Sequence, residues 1–291
     1  MAAGAIGLRR ETSYRYRKFK SDFMMAVTVG ATILTLIPLF LVLGYLLMKG
    51  FASLNFAFFF HMPAPVGEPG GGMANAIVGT LEVVGIACLL GVPVGVGAGL
   101  YLASHRADRF ANTVRFCADV MMGVPSIVVG IFAYAVVVRP MGGFSSLAGA
   151  VALAAIMVPL VTRTTEEMVA LVPPELREAS LALGVPQWKT TLAVVARTAM
   201  AGIATGVILA VARVAGETAP LLFTAFGNRF WSLSLFRPIN TLTVQVYTYA
   251  IAPFADWQRQ AWAGALVLTA MILALELGVR AVTGGSSKAP R

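Results

Sequence analysis

The sequence is poor in charge: 13 Asp and Glu and 22 Lys and Arg make up only 12% of its 291 residues. A water-soluble domain carries about 25%, and a chain with half that share cannot coat itself in polar surface. Cysteine is nearly missing. Cys88 and Cys117 are the two present, each inside or next to an apolar run, which excludes a secreted disulfide framework. The two histidines, His61 and His105, fall in loops with no carboxylate or cysteine cluster at ligand spacing, so no metal site is expected. A phosphate-binding loop is missing as well: Lys189-Thr190 ends like one, but Trp188 and Leu183 stand where that pattern needs glycine. There is no Gly-x-Ser-x-Gly elbow and no nucleophile beside a base. The chain reads as a protein without catalytic activity and without a cofactor.

What fills it is apolar. Hydrophobic residues reach 58% and the mean hydropathy is +0.81. This composition defines an all-α integral membrane protein. A spanning helix needs about 20 apolar residues, and such runs occur at 24–48, 75–103, 114–138, 146–162, 192–214 and 262–282. Six transmembrane helices are expected. Residues 55–72, rich in Phe, Pro and Gly, separate the first two spans, and Arg163 is expected to snorkel from the end of the fourth. The first run is too long for a signal-peptide core and has no small-residue cleavage site, so it is expected to stay as a helix.

Basic residues orient the spans. With a cytoplasmic amino terminus, sixteen Lys and Arg fall on inside segments and five outside, Arg213 lying within the fifth span. That asymmetry places both termini in the cytoplasm. The formal net charge of +9 then reflects topology and contact with an anionic lipid bilayer, with no nucleic-acid partner expected. The organisation is a basic cytoplasmic tail at 1–23, a first transmembrane helix at 24–48, a five-helix body at 73–282 and a cytoplasmic tail at 283–291.

Within the second span, Gly91, Gly95 and Gly99 recur four apart on one face, a pattern that admits a close-packed neighbour. Pro93 is expected to kink that helix, and Pro125 and Pro159 to interrupt the third and fourth spans. No internal repeat is visible, which argues against a secondary carrier built of two related halves.

A short polar insert follows the fourth span. Pro173-Pro174 opens it, Glu175 and Glu178 sit near its start, and Gly184 and Pro186 close it, the order that starts and stops a helix. Residues 175–185 are expected to be helical, with Leu176, Ala179, Ser180 and Leu183 on one face. By spacing alone, such a helix suits either a groove on another protein or the bilayer surface.

The segment Glu178-Ala179-Ser180-Leu181-Ala182-Leu183-Gly184 resembles the EAA motif of the permeases of binding-protein-dependent ABC importers of type I, the MetI-like fold. Gly123-Val124-Pro125-Ser126-Ile127-Val128-Val129-Gly130 and Ala212-Arg213-Val214-Ala215-Gly216-Glu217-Thr218-Ala219-Pro220-Leu221-Leu222-Phe223-Thr224 are similar to segments of the phosphate-importing branch of that family. One departure stands out: Ala196-Arg197 occupies the position of the usual Leu-Pro pair. The resemblance covers about residues 73–282. It implies that 175–185 is a coupling helix, with Glu178, Ala179, Ser180 and Gly184 contacting a cytoplasmic ATPase. It also implies a homologous second permease, an ATPase dimer and an external phosphate-binding protein (PstC-, PstB- and PstS-like), phosphate as cargo and the bacterial inner membrane as location.

Ionisable residues in apolar spans need a partner or a wet path, since a central charge costs roughly 2.5–3.5 kcal/mol on insertion scales. Arg213 and Glu217, four apart, share a helix face and can pair. Spacing leaves a structural pair and a substrate path equally open, and the resemblance puts a functional arginine at Arg213 with Glu217 beside it. Glu82, near the outer end of the second span, is placed either to guard an entrance or to bond neighbouring hydroxyls such as Thr80, the second being expected. Asp119 and Glu276 are expected to pair with loop arginines. The outer aromatics Trp231, Phe236, Tyr247, Tyr249 and Trp257 suit either a docking surface or an interfacial belt. Rival readings keep the architecture for another oxyanion such as sulfate or molybdate, make the chain an ion-coupled carrier with Glu82 or Glu217 as proton site, or make it a scaffold that signals phosphate status.

Overall fold

The computed structural model describes residues 2–65, 68 and 70–284, with side chains at residues 14–65, 68, 70–278 and 281. The side chains of Arg9, Arg10 and Arg280, and the tail 285–291 with Lys288 and Arg291, lie outside that description. The elements run α1 (Ala2–Ser53), α2 (Phe56–Phe60), α3 (Ala74–Ser104), α4 (Arg109–Gly123), α5 (Ser126–Ala133), α6 (Arg139–Met141), α7 (Ser146–Ala170), α8 (Pro174–Ala182), α9 (Gln187–Lys189), α10 (Ala196–Ala215), α11 (Ala219–Leu222), α12 (Leu242–Ala250) and α13 (Ala255–Gly284). Two π-helical turns, Tyr134–Val138 and Thr190–Val195, join α5 to α6 and α9 to α10.

Five stretches are long and apolar enough to span: Tyr14–Ser53, Ala74–Ser104, Ser146–Ala170, Gln187–Ala215 and Ala255–Gly278. The third expected span is not one helix. Arg109–Gly123 and Ser126–Met141 meet at 105°, and the break is local chemistry. Pro125 cannot donate to the helical ladder and drives the residue before it out of the α region; Val124 accordingly sits at ψ 130. Proline alone does not decide this, because Pro93 and Pro159 lie inside the uninterrupted α3 and α7. The π turn at Tyr134–Val138 precedes Pro140, whose ring would press on the carbonyl four residues back. The bond there runs from the Arg139 N–H to the Tyr134 carbonyl, five residues back.

The chain divides into two units. Residues 1–49 form one, a single helix where described, so the basic stretch expected as a tail is helical from Ala2 onward. Residues 50–291 form the other, built around α7. In lipid the water-exclusion drive between helices is lost, and close packing has to replace it. The glycine stripe of α3 supplies that packing. A Cβ on Gly95 would meet Val161 Cβ at 2.7 Å, and one on Gly99 would meet the Thr162 carbonyl at 2.6 Å. The stripe thus seats α3 on α7, and buried Val83, Leu153, Met157, Val161 and Val214 fill the junction with α10. A second cluster gathers Phe58, Met73, Leu242 and Val267 around a stacked Tyr249–Trp257 pair, ring centroids 4.5 Å apart. Those two aromatics are 1% and 6% exposed, so they belong to neither a docking surface nor a belt; Trp231, Phe236 and Tyr247 are exposed.

Candidate functional site

Arg213 occupies the last turn of α10, where the negative end of the helix dipole favours a cation. The helix stops there because the Gly216 and Glu217 N–H groups turn back to the carbonyls of Arg213 and Val214. Glu217 follows one turn later. Arg213 Nε and Glu217 Oε1 are 4.0 Å apart, with side-chain exposures of 51% and 17%. An ion pair that long and that open is worth at most about 1 kcal/mol. The structure therefore brings the two together but leaves the guanidinium largely free of its neighbour.

The next residues fold back as α11, which lies against α5. Gly130 of the Gly123–Gly130 segment is in contact with Pro220, so the two stretches that resemble phosphate permeases touch each other. The Ser145 N–H donates to the Thr224 carbonyl and that of Ser146 to the Arg237 carbonyl, which fixes this return loop on the start of α7. Glu82 accepts from the Ser146 hydroxyl at 2.6 Å. It bonds a hydroxyl, as expected, but one on α7 instead of Thr80, whose own hydroxyl donates to the Ala76 carbonyl.

An ionic cluster that sequence reading missed joins α4 to α7. Arg115 reaches Glu166 Oε1 through Nε at 2.8 Å and Nη2 at 2.6 Å. Arg163 binds Glu166 Oε2 at 2.6 Å and Asp119 at 2.9 Å. Asp119 thus finds an arginine, while Glu276 makes no ion pair with any described side chain. Arg163 does not snorkel from a helix end: α7 continues to Ala170. The detectable signal was the Arg163–Glu166 spacing of three along a helix extended past residue 162.

The loop helix forms as α8. Pro174 opens it and Glu175 sits in its first turn. Gly184 closes it at φ +79, with the Val185 N–H bonding the Ser180 carbonyl and the Gly184 N–H the Leu181 carbonyl, the paired bonds of a Schellman ending. Glu178, Ala179 and Gly184 are exposed, as are Leu183 and Trp188. Ser180 is not: its hydroxyl lies 2.9 Å from Thr190 Oγ1, both residues buried. The expected four-residue face is therefore split. Ser180 pins the helix inward while Ala179 and Leu183 look out. Gly184 owes its identity to its backbone angle, with nothing within 4 Å of a Cβ built there.

Thr190 opens the π turn at the base of the fifth span. The Thr191 hydroxyl takes the Gln187 carbonyl, competing with the ordinary ladder, and the Ala196 N–H reaches back to Thr191. Ala196-Arg197, where the family's Leu-Pro pair usually stands, simply continues the helix.

The described residues form a body of close-packed helices long and apolar enough to cross a membrane, with one broken span and a short exposed helix between two spans. The chain belongs to the family described as binding-protein-dependent transport system inner membrane component, which matches residues 95–284. Among its relatives, the phosphate transport system permease protein PstA of Yersinia pestis is 42% identical over 274 residues, covering 94% of this chain and 93% of that one. The protein of the same name from Haemophilus influenzae is 44% identical over 269 residues, covering 92% and 95%. A solved chain of the MetNI methionine ABC transporter in an inward-facing conformation superposes with a TM-score of 0.62 at 16% identity, covering 74% of this chain and 98% of that chain. That likeness is one of fold.

Proposed function

We propose that this chain is the permease subunit of an ATP-driven importer of inorganic phosphate, held in the bacterial inner membrane with both termini in the cytoplasm. The observation that carries the reading is the 42% identity to a phosphate permease across nearly the whole of both chains. The exposed Arg213 at the end of α10 supports it chemically. An anion entering a low-dielectric region loses hydration, and a fixed guanidinium offsets part of that cost. It can hold two phosphate oxygens at once. Glu217 at 4.0 Å competes for the same guanidinium and keeps the site from holding its cargo too tightly, as conduction requires.

Energy arrives from elsewhere in the complex. The exposed face of α8, with Glu178, Ala179 and Leu183, docks on a cytoplasmic ATPase, and the Ser180–Thr190 bond passes its motion to the fifth span. Along that span lies Arg213, so one continuous element links the docking surface to the anion site. A homologous second permease completes the path, a pair of ATPase subunits drives it, and an external phosphate-binding protein delivers the cargo.

The test is purification with those three partners and measurement of ATP hydrolysis with each loaded binding protein. Phosphate should raise hydrolysis several-fold and sulfate or molybdate should not. Stimulation by sulfate alone, or ion-driven uptake by the chain reconstituted without an ATPase, contradicts the proposal.

A further inference from the structure

Between the α3–α4 turn and the start of α8 lies a cavity of about 580 Å³, lined in part by Pro173 just before, and Pro174 and Arg177 within, the helix proposed to dock on the ATPase. Its lining includes apolar Ala103, Val169, Val172 and Val195 and two cations, Arg177 and the exposed Arg106. Neither guanidinium makes an ion pair with a described residue, and Arg177 is half-buried. A charged side chain withdrawn from water calls for a counter-charge. Ser104 lines the same cavity, but its hydroxyl is shut off from solvent and has no hydrogen-bond partner among the described residues.

The other polar groups there are engaged. Asp108 accepts from the Tyr101 hydroxyl at 3.0 Å and from the Phe110 N–H at 3.3 Å, and those bonds, the tyrosine's first, hold its carboxyl below the ordinary carboxylate range. His105 stacks on the Tyr101 ring, centroids 4.4 Å apart, with its Nδ1 on the Tyr101 carbonyl. What remains available is two unpaired guanidinium groups beside apolar residues.

We propose that this cavity binds a phosphate-bearing anion, its oxygens held by Arg106 and Arg177. Two sources carry that chemistry, an anionic phospholipid headgroup and free inorganic phosphate. The apolar residues fit a lipid, whose chains would lie along Val169, Val172 and Val195. Basic pockets between spans on the cytoplasmic side suit such headgroups, and in this respect alone the inference rests on the topology proposed above. The cavity and its unpaired charges do not depend on what the importer carries.

The experiment uses the complete importer complex, delipidated in a neutral detergent, and reads thermal unfolding as ligand is added. Dioleoyl phosphatidylglycerol is titrated in one arm. Sodium phosphate is titrated in the other, with Arg213→Gln in the chain so that binding on the path is removed. Phosphatidylglycerol should raise the unfolding temperature, and Arg106→Gln with Arg177→Gln should need roughly a hundredfold more lipid for the same rise, each lost guanidinium contact being worth about a factor of ten or more. Arg106→Lys with Arg177→Lys should keep most of the response. A rise with phosphate alone, removed by the same double glutamine variant, identifies free phosphate as the source. Should the glutamine variant not assemble, Val172→Phe fills the cavity while keeping both arginines, and it too should lose the response. Responses to both ligands that are the same in wild type, the glutamine variant and Val172→Phe overturn the proposal. Because the readout is binding, a failure here leaves the transport reading untouched, and a sulfate-specific importer would leave this site standing.

Discussion

A Cβ placed on Gly130 of α5 would lie 2.6 Å from Pro220 Cα on α11, so the two elements meet backbone to backbone. Gly130→Ala should therefore destabilise the subunit by about 1–3 kcal/mol, the usual cost of overpacking, read as a lower unfolding temperature in detergent. Gly85 in α3 has nothing within 4 Å of its Cβ position. Gly85→Ala should be neutral or slightly stabilising, since the helix then loses less chain entropy on folding. Equal effects at the two positions would contradict the close approach.

The Arg115–Glu166–Arg163 cluster and the Arg213–Glu217 pair should respond differently to neutralisation. Glu166 is 12% exposed and bound at 2.6 Å by two arginines; Glu166→Gln should cost about 1.5–3 kcal/mol, the range for hydrogen bonds to charged groups. Arg213→Gln, breaking a 4.0 Å exposed contact, should cost no more than about 1 kcal/mol. Denaturation of the purified subunits measures both, and a reversed order would mean that Arg213 is structural.

Much of this arrangement could be read in advance and some of it could not. The apolar runs located the spans because a helix in lipid must be apolar along its length, and the Gly91–Gly95–Gly99 spacing announced a close-packed neighbour for α3, which the structure identifies as α7. The break at Val124–Pro125 was expected from Pro125 but its 105° angle was not, and the interruption expected at Pro159 did not form, since α7 runs through it; only the tertiary setting separates a tolerated proline from a breaking one. Glu166 escaped because α7 runs eight residues beyond its apolar part, held there by ion pairs instead of lipid. Ser180 was assigned to the outward face because helical spacing gives neighbours but not which side the protein takes.

The Ser180–Thr190 bond joins two buried hydroxyls at 2.9 Å. Ser180→Ala alone leaves Thr190 unsatisfied and should cost about 1–3 kcal/mol. Ser180→Ala with Thr190→Val removes both polar groups and should recover most of that stability. If the bond carries coupling, the double variant should still hydrolyse ATP in the complex but lose its dependence on loaded binding protein; full dependence would rule that role out.

On α8, Ala179→Trp should block docking, lowering the ATPase retained with the membrane subunits on purification. Gly184 answers a different question. Its φ of +79 is tolerated by Asn and resisted by β-branched residues, so Gly184→Asn should keep activity and Gly184→Val should lose it. Equal loss in both would shift the requirement from the turn to a contact with the ATPase.

Topology is checked in a background with Cys88→Ala and Cys117→Ala. A cysteine at Leu233 should label with impermeant reagent from outside intact cells, and Ala179→Cys only after the membrane is opened. Outside labelling at Ala179→Cys would invert the orientation.

The most direct test of an Arg213-dependent phosphate path is uptake of radiolabelled phosphate into vesicles holding the full complex, wild type against Arg213→Gln. The account predicts normal assembly and a fall in uptake of at least tenfold, not restored by adding Glu217→Gln. Normal uptake by an assembled Arg213→Gln complex, or by the double variant, would contradict it.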